Sequence, residues 1–211
     1  MNSHAGARVG RRGALFVVSA PSGAGKTTLC REARLVIPHL AYSVSVTTRA
    51  PRVGEVNGVD FRFVTEPQFR AMLERGELAE WATNHGNLYG TPAKPLEAAL
   101  AAGKDVLLDI DTHGAAQLRQ RYPEAVLIFI VAPSINELEQ RLRERGADAE
   151  RDIARRLARA REEIKLWQSY DYLIVNRDVK EAMDQLLAVI QAERCRTTRL
   201  SLTFPDLEVS E

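Results

Sequence analysis

Leu15-Phe16-Val17-Val18-Ser19-Ala20-Pro21-Ser22-Gly23-Ala24-Gly25-Lys26-Thr27-Thr28 decides how this chain folds. It opens as an apolar run of strand type and passes through a turn of small residues. It closes as the start of an amphipathic helix that should reach Ile37 and stop at Pro38. A strand, a glycine-rich turn and a helix in that order are the context a phosphate-binding loop requires. Backbone N–H groups of such a turn point inward, and the helix N-terminus adds positive potential for phosphate oxygens. Lys26 can reach β- and γ-phosphates as a point charge, while the Thr27 hydroxyl can ligate Mg²⁺. Ala20 stands where the strict pattern has its first glycine. The plainer alternative is a small-residue turn that only caps a helix, and Gly-x-Gly-Lys-Thr-Thr after a strand is rarely accidental. Along the helix, Leu29, Ala33 and Val36 should share the buried face, with Cys30 a small core residue.

Working outward, four more runs read as strands: Ser43–Val46, Val106–Ile110, Val126–Val131 and Tyr172–Val175. Most lack polar alternation, as expected of strands covered by helices on both faces, so the fold class is α/β with a central parallel sheet. Helix ends are marked between them. Ser134 with Glu137 reads as a capping box opening a helix to Arg145, and Asp178 with Glu181 opens one to about Arg194. Thr91 before Pro92 should cap a helix that Gly103 ends. Two stretches break the rhythm. Residues from about 45 to 94 form an insertion rich in turn signals, with half-exposed strands around Phe61-Arg62-Phe63-Val64, and 150–169 is an arginine-dense helical stretch. Residues 1–13 and 197–211 read as flexible tails around a single domain over 14–196.

Composition narrows the class further. The 211 residues are 45% hydrophobic and 27% charged, which excludes a disordered chain. The longest apolar run, Ala125–Ala132, is far short of the ~20 residues that cross a bilayer, so no membrane association is expected. A net charge of +1 lacks the overall basic field of a nucleic-acid binder. Cys30 and Cys195 cannot alone make a disulfide framework or a four-ligand zinc site. The first residues carry Arg8, Arg11 and Arg12 with no apolar stretch of signal-peptide length, and a cytoplasmic location is expected.

Two further segments carry chemistry. Asp109 and Asp111 alternate about Ile110 at the end of a strand, where open α/β sheets gather their ligands. A carboxylate there can hold Mg²⁺ through water or accept substrate hydroxyls; the alternative is a solvated pair or a helix cap. In Ser45-Val46-Thr47-Thr48-Arg49-Ala50-Pro51-Arg52, two arginines separated by a proline turn can converge on one dianion. Taken bare, the same stretch is also an ordinary charged loop.

The order of these segments resembles that of guanylate kinases. The phosphate loop and the arginine segment are followed by Glu80-Trp81-Ala82, Gly86-Asn87-Leu88-Tyr89-Gly90-Thr91, Leu108-Asp109-Ile110-Asp111, Arg141–Gly146 and Val175-Asn176. The resemblance covers roughly residues 13 to 195. It implies a P-loop nucleoside-monophosphate kinase fold with a GMP-binding insertion and a mobile lid over about 141–163. It implies the reaction MgATP + GMP to ADP + GDP, in purine nucleotide metabolism, with ATP and GMP as partners and Mg²⁺ as cofactor. By the resemblance, ATP is held by Ala20, Pro21, Ser22, Gly23, Ala24, Gly25, Lys26, Thr27, Thr28, Arg145, Arg156 and, at the adenine, Asn176. Ser45, Arg49, Arg52 and Tyr89 grip the GMP phosphate, Glu80 reads guanine with Thr91 and Ser45 as further contacts, and Asp109 and Asp111 lie near the base, ribose or metal. Lys26, Arg49, Arg145 and Arg156 are the expected catalytic residues, with Thr27 and Asp109 toward Mg²⁺. Arg151, Arg155, Arg159 and Arg161 are expected to form a solvated face with Glu162 and Glu163. Two positions depart from the family. Phe61 stands where a tyrosine commonly reaches the GMP phosphate, and Arg177 where an acidic residue is common.

Two alternatives use the same fold. A non-catalytic guanylate-kinase-like module would bind a phosphorylated peptide in the GMP subsite, but such modules usually lose the phosphate-loop lysine and the lid arginines. A kinase of phosphorylated ribose would not need Ser45, Glu80 and Thr91.

Overall fold

The apolar runs assemble into a five-stranded parallel sheet, seen in a computed structural model that describes residues 8–84, 86–144 and 150–204. The first strand, β1 (Arg8–Arg11), lies outside it. At its centre is β2 (Leu15–Ser19), which leads through the glycine-rich turn into α1 (Lys26–Val36). β3 (Leu40–Tyr42) is one edge of the sheet. A second, four-stranded sheet follows, made of β4 (Val46–Thr47), β5 (Arg62–Phe63), β6 (Leu78–Asn84) and β7 (Asn87–Pro92), with α2 (Glu66–Glu74) packed on it. The chain returns through α3 (Ala93–Ala101) to β8 (Asp105–Asp109), α4 (Thr112–Arg121) and β9 (Val126–Val131). Then come α5 (Ile135–Glu144), α6 (Glu150–Ile164), β10 (Tyr172–Val175), α7 (Val179–Arg194) and β11 (Leu200–Thr203). The central order is β10-β9-β2-β8-β3.

The alternation along β2 explains its uniform apolarity. Phe16 and Val18 point to one face, under α1, α5, α6 and α7, while Leu15 and Val17 point to the other, under α3 and α4. Both faces are dry, so neither tolerates a polar residue. No described helix is long and apolar enough to cross a membrane.

Several expectations shift. The strand expected at Ser43–Val46 is β3, three residues earlier; Val46 is fully buried in the second sheet, against Phe69, Met72 and Leu78. On α1, Val36 is exposed, and Cys30 joins Leu29 and Ala33 on the buried face. Thr91 does not cap α3: it lies in β7, and Pro92 precedes the helix with no side-chain cap. Half of the expected capping box forms at α5, where Ser134 Oγ accepts from the Glu137 N–H at 3.1 Å and the Glu137 carboxylate turns to Arg141.

The stretches read as flexible tails form structure at their inner ends. β1 and β11 pair antiparallel, Arg8 opposite Thr203. Asp105, a fully buried carboxylate at the start of β8, ties β1 and the end of α7 to the central sheet. It accepts from Arg11 at 2.5 Å, from Arg194 at 2.7 Å and from the Ala14 N–H at 2.8 Å. Burial alone would raise its pKa, but these donors outweigh it and hold the carboxyl below its ordinary value. Sequence periodicity carries no sign of such a knot.

Candidate active site

Two cavities of about 560 and 540 Å³ open at the carboxyl ends of the central strands. Lys26, Thr27, Asn84 and Asp111 line both, so the cavities meet at the first turn of α1.

The first cavity is built on the turn between β2 and α1. Gly23 and Gly25 take φ of 93° and 94°, the left-handed region that bends the backbone around a bound anion. Gly25 is also required by space, because a Cβ there would lie 2.3 Å from Asn176 Nδ2. Asn176, only 1% exposed at the end of β10, donates from that amide to the Ala24 carbonyl at 2.8 Å. Arg141 in turn donates to the Asn176 carbonyl at 3.0 Å. The Asn176 side chain braces the loop from beneath through its amide nitrogen, while its Oδ1 is buried with no hydrogen-bond partner among the described residues. Ala20, Pro21, Ser22, Gly23 and Gly25 line the cavity; Ala24 packs into the core, and Thr28 sits in the first turn of α1, away from the wall.

Opposite the loop stands α6. Arg155, Arg156, Arg159 and Glu163 face the cavity, at the spacing of one helix face. Arg156 was expected there. Arg155 and Arg159, expected on a solvated face with Glu163, are exposed, and they also border the cavity. Arg159 lies 3.5 Å from Asp111 and donates to Glu163 at 2.8 Å. Their spacing from Arg156 was the available signal, masked by the density of charge along the helix. Arg145 lies outside the described residues.

Lys26 links the two cavities. Its ammonium contacts Asp109 Oδ1 and the Ile110 carbonyl, each at 2.7 Å. Asp111 caps α4, accepting from the Gly114 N–H at 2.9 Å, and still lines both cavities. The cap and the site residue are one and the same. Among the described residues no group of three or more His, Cys, Asp or Glu could hold a metal. The oxygen donors beside the loop, Thr27 Oγ1 and the Asp109 carboxylate, suit Mg²⁺ held mainly by phosphates and water.

Ser45, Phe61, Glu80 and Tyr89 line the second cavity. Glu80 is 5% exposed and accepts from Thr91 Oγ1 at 2.6 Å. The two residues oppose each other in the β6–β7 pair, just past a register shift at Leu78/Glu80 that re-aims the strand. A Cβ on Gly114 would come within 2.5 Å of Glu80 Oε2, so a glycine in α4 leaves room for the carboxylate. Burial pushes the Glu80 carboxyl up to about 7, with the Thr91 hydrogen bond opposing and the nearby Asp111 charge adding to the rise.

The arginine segment differs from expectation. Neither Arg49 nor Arg52 lines the cavity. Arg49 forms a fork with Glu55 at 2.8 and 3.0 Å, and Arg52 offers its backbone N–H to the same carboxylate at 2.7 Å while its side chain is exposed. The Glu55 hydrogen bonds raise the Arg49 pKa, and those to Arg49 and Arg52 lower that of Glu55. Glu55 thus takes the place expected for an anion. Its spacing from Arg52, three residues, was the overlooked signal. The Arg49 guanidinium sits 5.3 Å from the Phe61 ring, and Phe61 meets Tyr89 edge-on at 6.1 Å. Asn84 and Arg34, neither singled out in the sequence, also line this cavity.

A parallel sheet with flanking helices, a phosphate loop after its central strand and a second binding lobe define a P-loop nucleoside-monophosphate kinase fold. A family model described as Guanylate kinase matches residues 12–193. A guanylate kinase of Geobacter metallireducens is 50% identical, over 93% of this chain and 97% of that protein. One of Syntrophotalea carbinolica is 52% identical over 90% of each. The crystal structure of guanylate kinase from Anaplasma phagocytophilum superposes with a TM-score of 0.73 at 36% identity, covering 92% of both chains. The chain belongs to the guanylate kinase family and is a phosphotransferase.

Proposed function

We propose that this chain transfers the γ-phosphoryl group of MgATP to GMP, giving ADP and GDP, in the cytoplasm. The observation that carries the reading is the junction of the two cavities at Lys26, with a buried Glu80–Thr91 pair in one and a glycine-rich phosphate loop in the other.

In this reading ATP phosphates lie on the backbone N–H groups of the loop and the N-terminus of α1. Thr27 and Asp109 would hold Mg²⁺ beside those phosphates, where it would supply positive charge. Glu80 accepts the N1–H and exocyclic amine of guanine, two donors that adenine does not present there. Thr91 fixes the carboxylate that accepts them. Tyr89, Ser45 and the Arg49–Arg52 segment hold the GMP phosphate in line with ATP. For Arg49 this requires exchanging Glu55 for the phosphate, a fork-for-fork replacement. Lys26, Arg156 and Arg145 then stabilise charge on the group in flight. Phosphoryl transfer asks little proton chemistry of the protein; position and charge supply most of the rate. Arg155 and Arg159 extend the same positive wall. Closure of α6 over the loop excludes water and protects ATP from hydrolysis.

A coupled ADP-release assay with GMP, AMP and a phosphopeptide competitor tests the reading. GMP-dependent ADP release is expected. Peptide binding without turnover would instead support a non-catalytic module.

A further inference from the structure

A third cavity, of about 380 Å³, lies at the amino ends of β2 and β9, the end of the sheet opposite the catalytic cleft. Its lining contains Arg12, Arg121 and Arg199 against one carboxylate, Glu124. Arg199 is 8% exposed, and one of its terminal nitrogens serves the Glu124 carbonyl at 2.7 Å and Glu193 at 3.5 Å. Its Nε–H is buried and meets no acceptor among the described residues. A guanidinium donor buried without a partner costs free energy that an anion would recover once the Arg199 head turns toward the cavity it lines. Arg12 is largely exposed, its one ion pair among the described residues a 3.7 Å contact with Glu124, so its charge is available at the rim. Arg121 is more committed, to the Leu78 carbonyl at 2.8 Å and to Glu97 at 3.4 Å. The rest of the wall is apolar, with Leu15, Leu100 and Tyr122.

We propose that this cavity is a non-catalytic binding site for a small organic anion, its phosphate or carboxylate on Arg199 and Arg12 and its apolar body against Leu15, Leu100 and Tyr122. The substrates of the catalytic cleft do not account for it, because the cleft lies beyond the far end of β2. A bare inorganic anion would satisfy the guanidinium groups and leave the apolar wall wet, so a ring-bearing anion fits better.

The test titrates the full chain with inorganic phosphate, phenyl phosphate and benzoate, while a bisubstrate analogue joining adenosine and guanosine saturates the catalytic cleft. Binding is read by NMR at the Arg199 Nε–H and the Ala125 amide. Phenyl phosphate or benzoate should shift both signals saturably, and whichever binds tighter identifies the anionic group. The better of the two should bind roughly tenfold tighter than inorganic phosphate, given the apolar area it covers. Arg12→Glu, an exposed change, should weaken binding at least about tenfold and leave phosphoryl transfer unchanged. Shifts that never saturate, that vanish once the cleft is filled, or that are equal in Arg12→Glu would overturn the proposal.

Discussion

Thr91 Oγ1 donates to Glu80 Oε1 at 2.6 Å, between residues paired across β6 and β7. The hydroxyl is spent on one carboxylate oxygen, which orients Glu80 at the wall of the second cavity. A carboxylate held this way accepts from a planar pair of donors without losing side-chain entropy on binding.

Burial makes that carboxylate sensitive to pH. With its pKa near 7, Glu80 is mostly protonated at pH 6 and mostly ionised at pH 8. Only the ionised form accepts both guanine donors, so the KM for GMP should fall roughly tenfold from pH 6 to pH 8 through this group. Stability should move the opposite way. A carboxyl whose folded pKa is raised favours the folded state most below its unfolded value, and that contribution is lost as pH rises through about 7. Glu80→Gln should remove both dependences. GMP titrations and urea unfolding at pH 6 and pH 8, with and without the substitution, check this.

Lys26 is expected to act on the transferring group. Lys26→Met keeps most of the stem and removes the charge, so kcat should fall 10²- to 10³-fold, or ~3–4 kcal/mol. It also leaves Asp109 without its 2.7 Å partner, so thermal unfolding must be measured beside turnover. Retention of more than about half the turnover would remove Lys26 from the mechanism.

Phe61 lines the cavity beside Tyr89 and beneath Arg49. Phe61→Tyr adds a donor toward the position proposed for the GMP phosphate, with a net gain of ~0.5–1 kcal/mol after displacement of water. The KM for GMP should fall about two- to fivefold with that for ATP unchanged. In the background of Tyr89→Phe, the same substitution should recover much of the loss. Titrating GMP against the single and double variants decides it.

Asp105 carries a structural prediction. Asp105→Asn leaves Arg11 and Arg194 facing a neutral amide in a buried position and should cost roughly 3 kcal/mol or more of stability. Because its folded pKa is lowered, the stabilisation is present above the unfolded value and lost as pH falls through the folded one. Denaturant unfolding of wild type and variant at pH 7 and pH 3 should show the gap closing in acid.

Much of this was legible because the signals are local. The phosphate loop announces itself by residue type and spacing, and β2, β8, β9 and β10 by runs with no polar face. What sequence hid depends on contacts across the fold. Nothing near Asn176 says that its amide ends under Ala24, or that Asp105 ties β1 and the end of α7 to β8. Arg155 and Arg159 are indistinguishable by composition from the arginines around them; only the position of α6 over the loop brings these exposed side chains to the cavity rim. Val46 was placed in the wrong sheet because a short apolar run does not record which sheet buries it.

The central claim is that a P-loop phosphotransferase reads guanine through Glu80. The most direct measurement is the ratio of kcat/KM for GMP and AMP with MgATP as donor, in wild type and in Glu80→Gln. Wild type should prefer GMP by 10⁴-fold or more, as sites that pair a substrate's donors do, and the substitution should cost GMP on the order of 2–3 kcal/mol. The KM for ATP should hold. Comparable use of GMP and AMP by wild type, or an unchanged ratio in Glu80→Gln, would contradict the account.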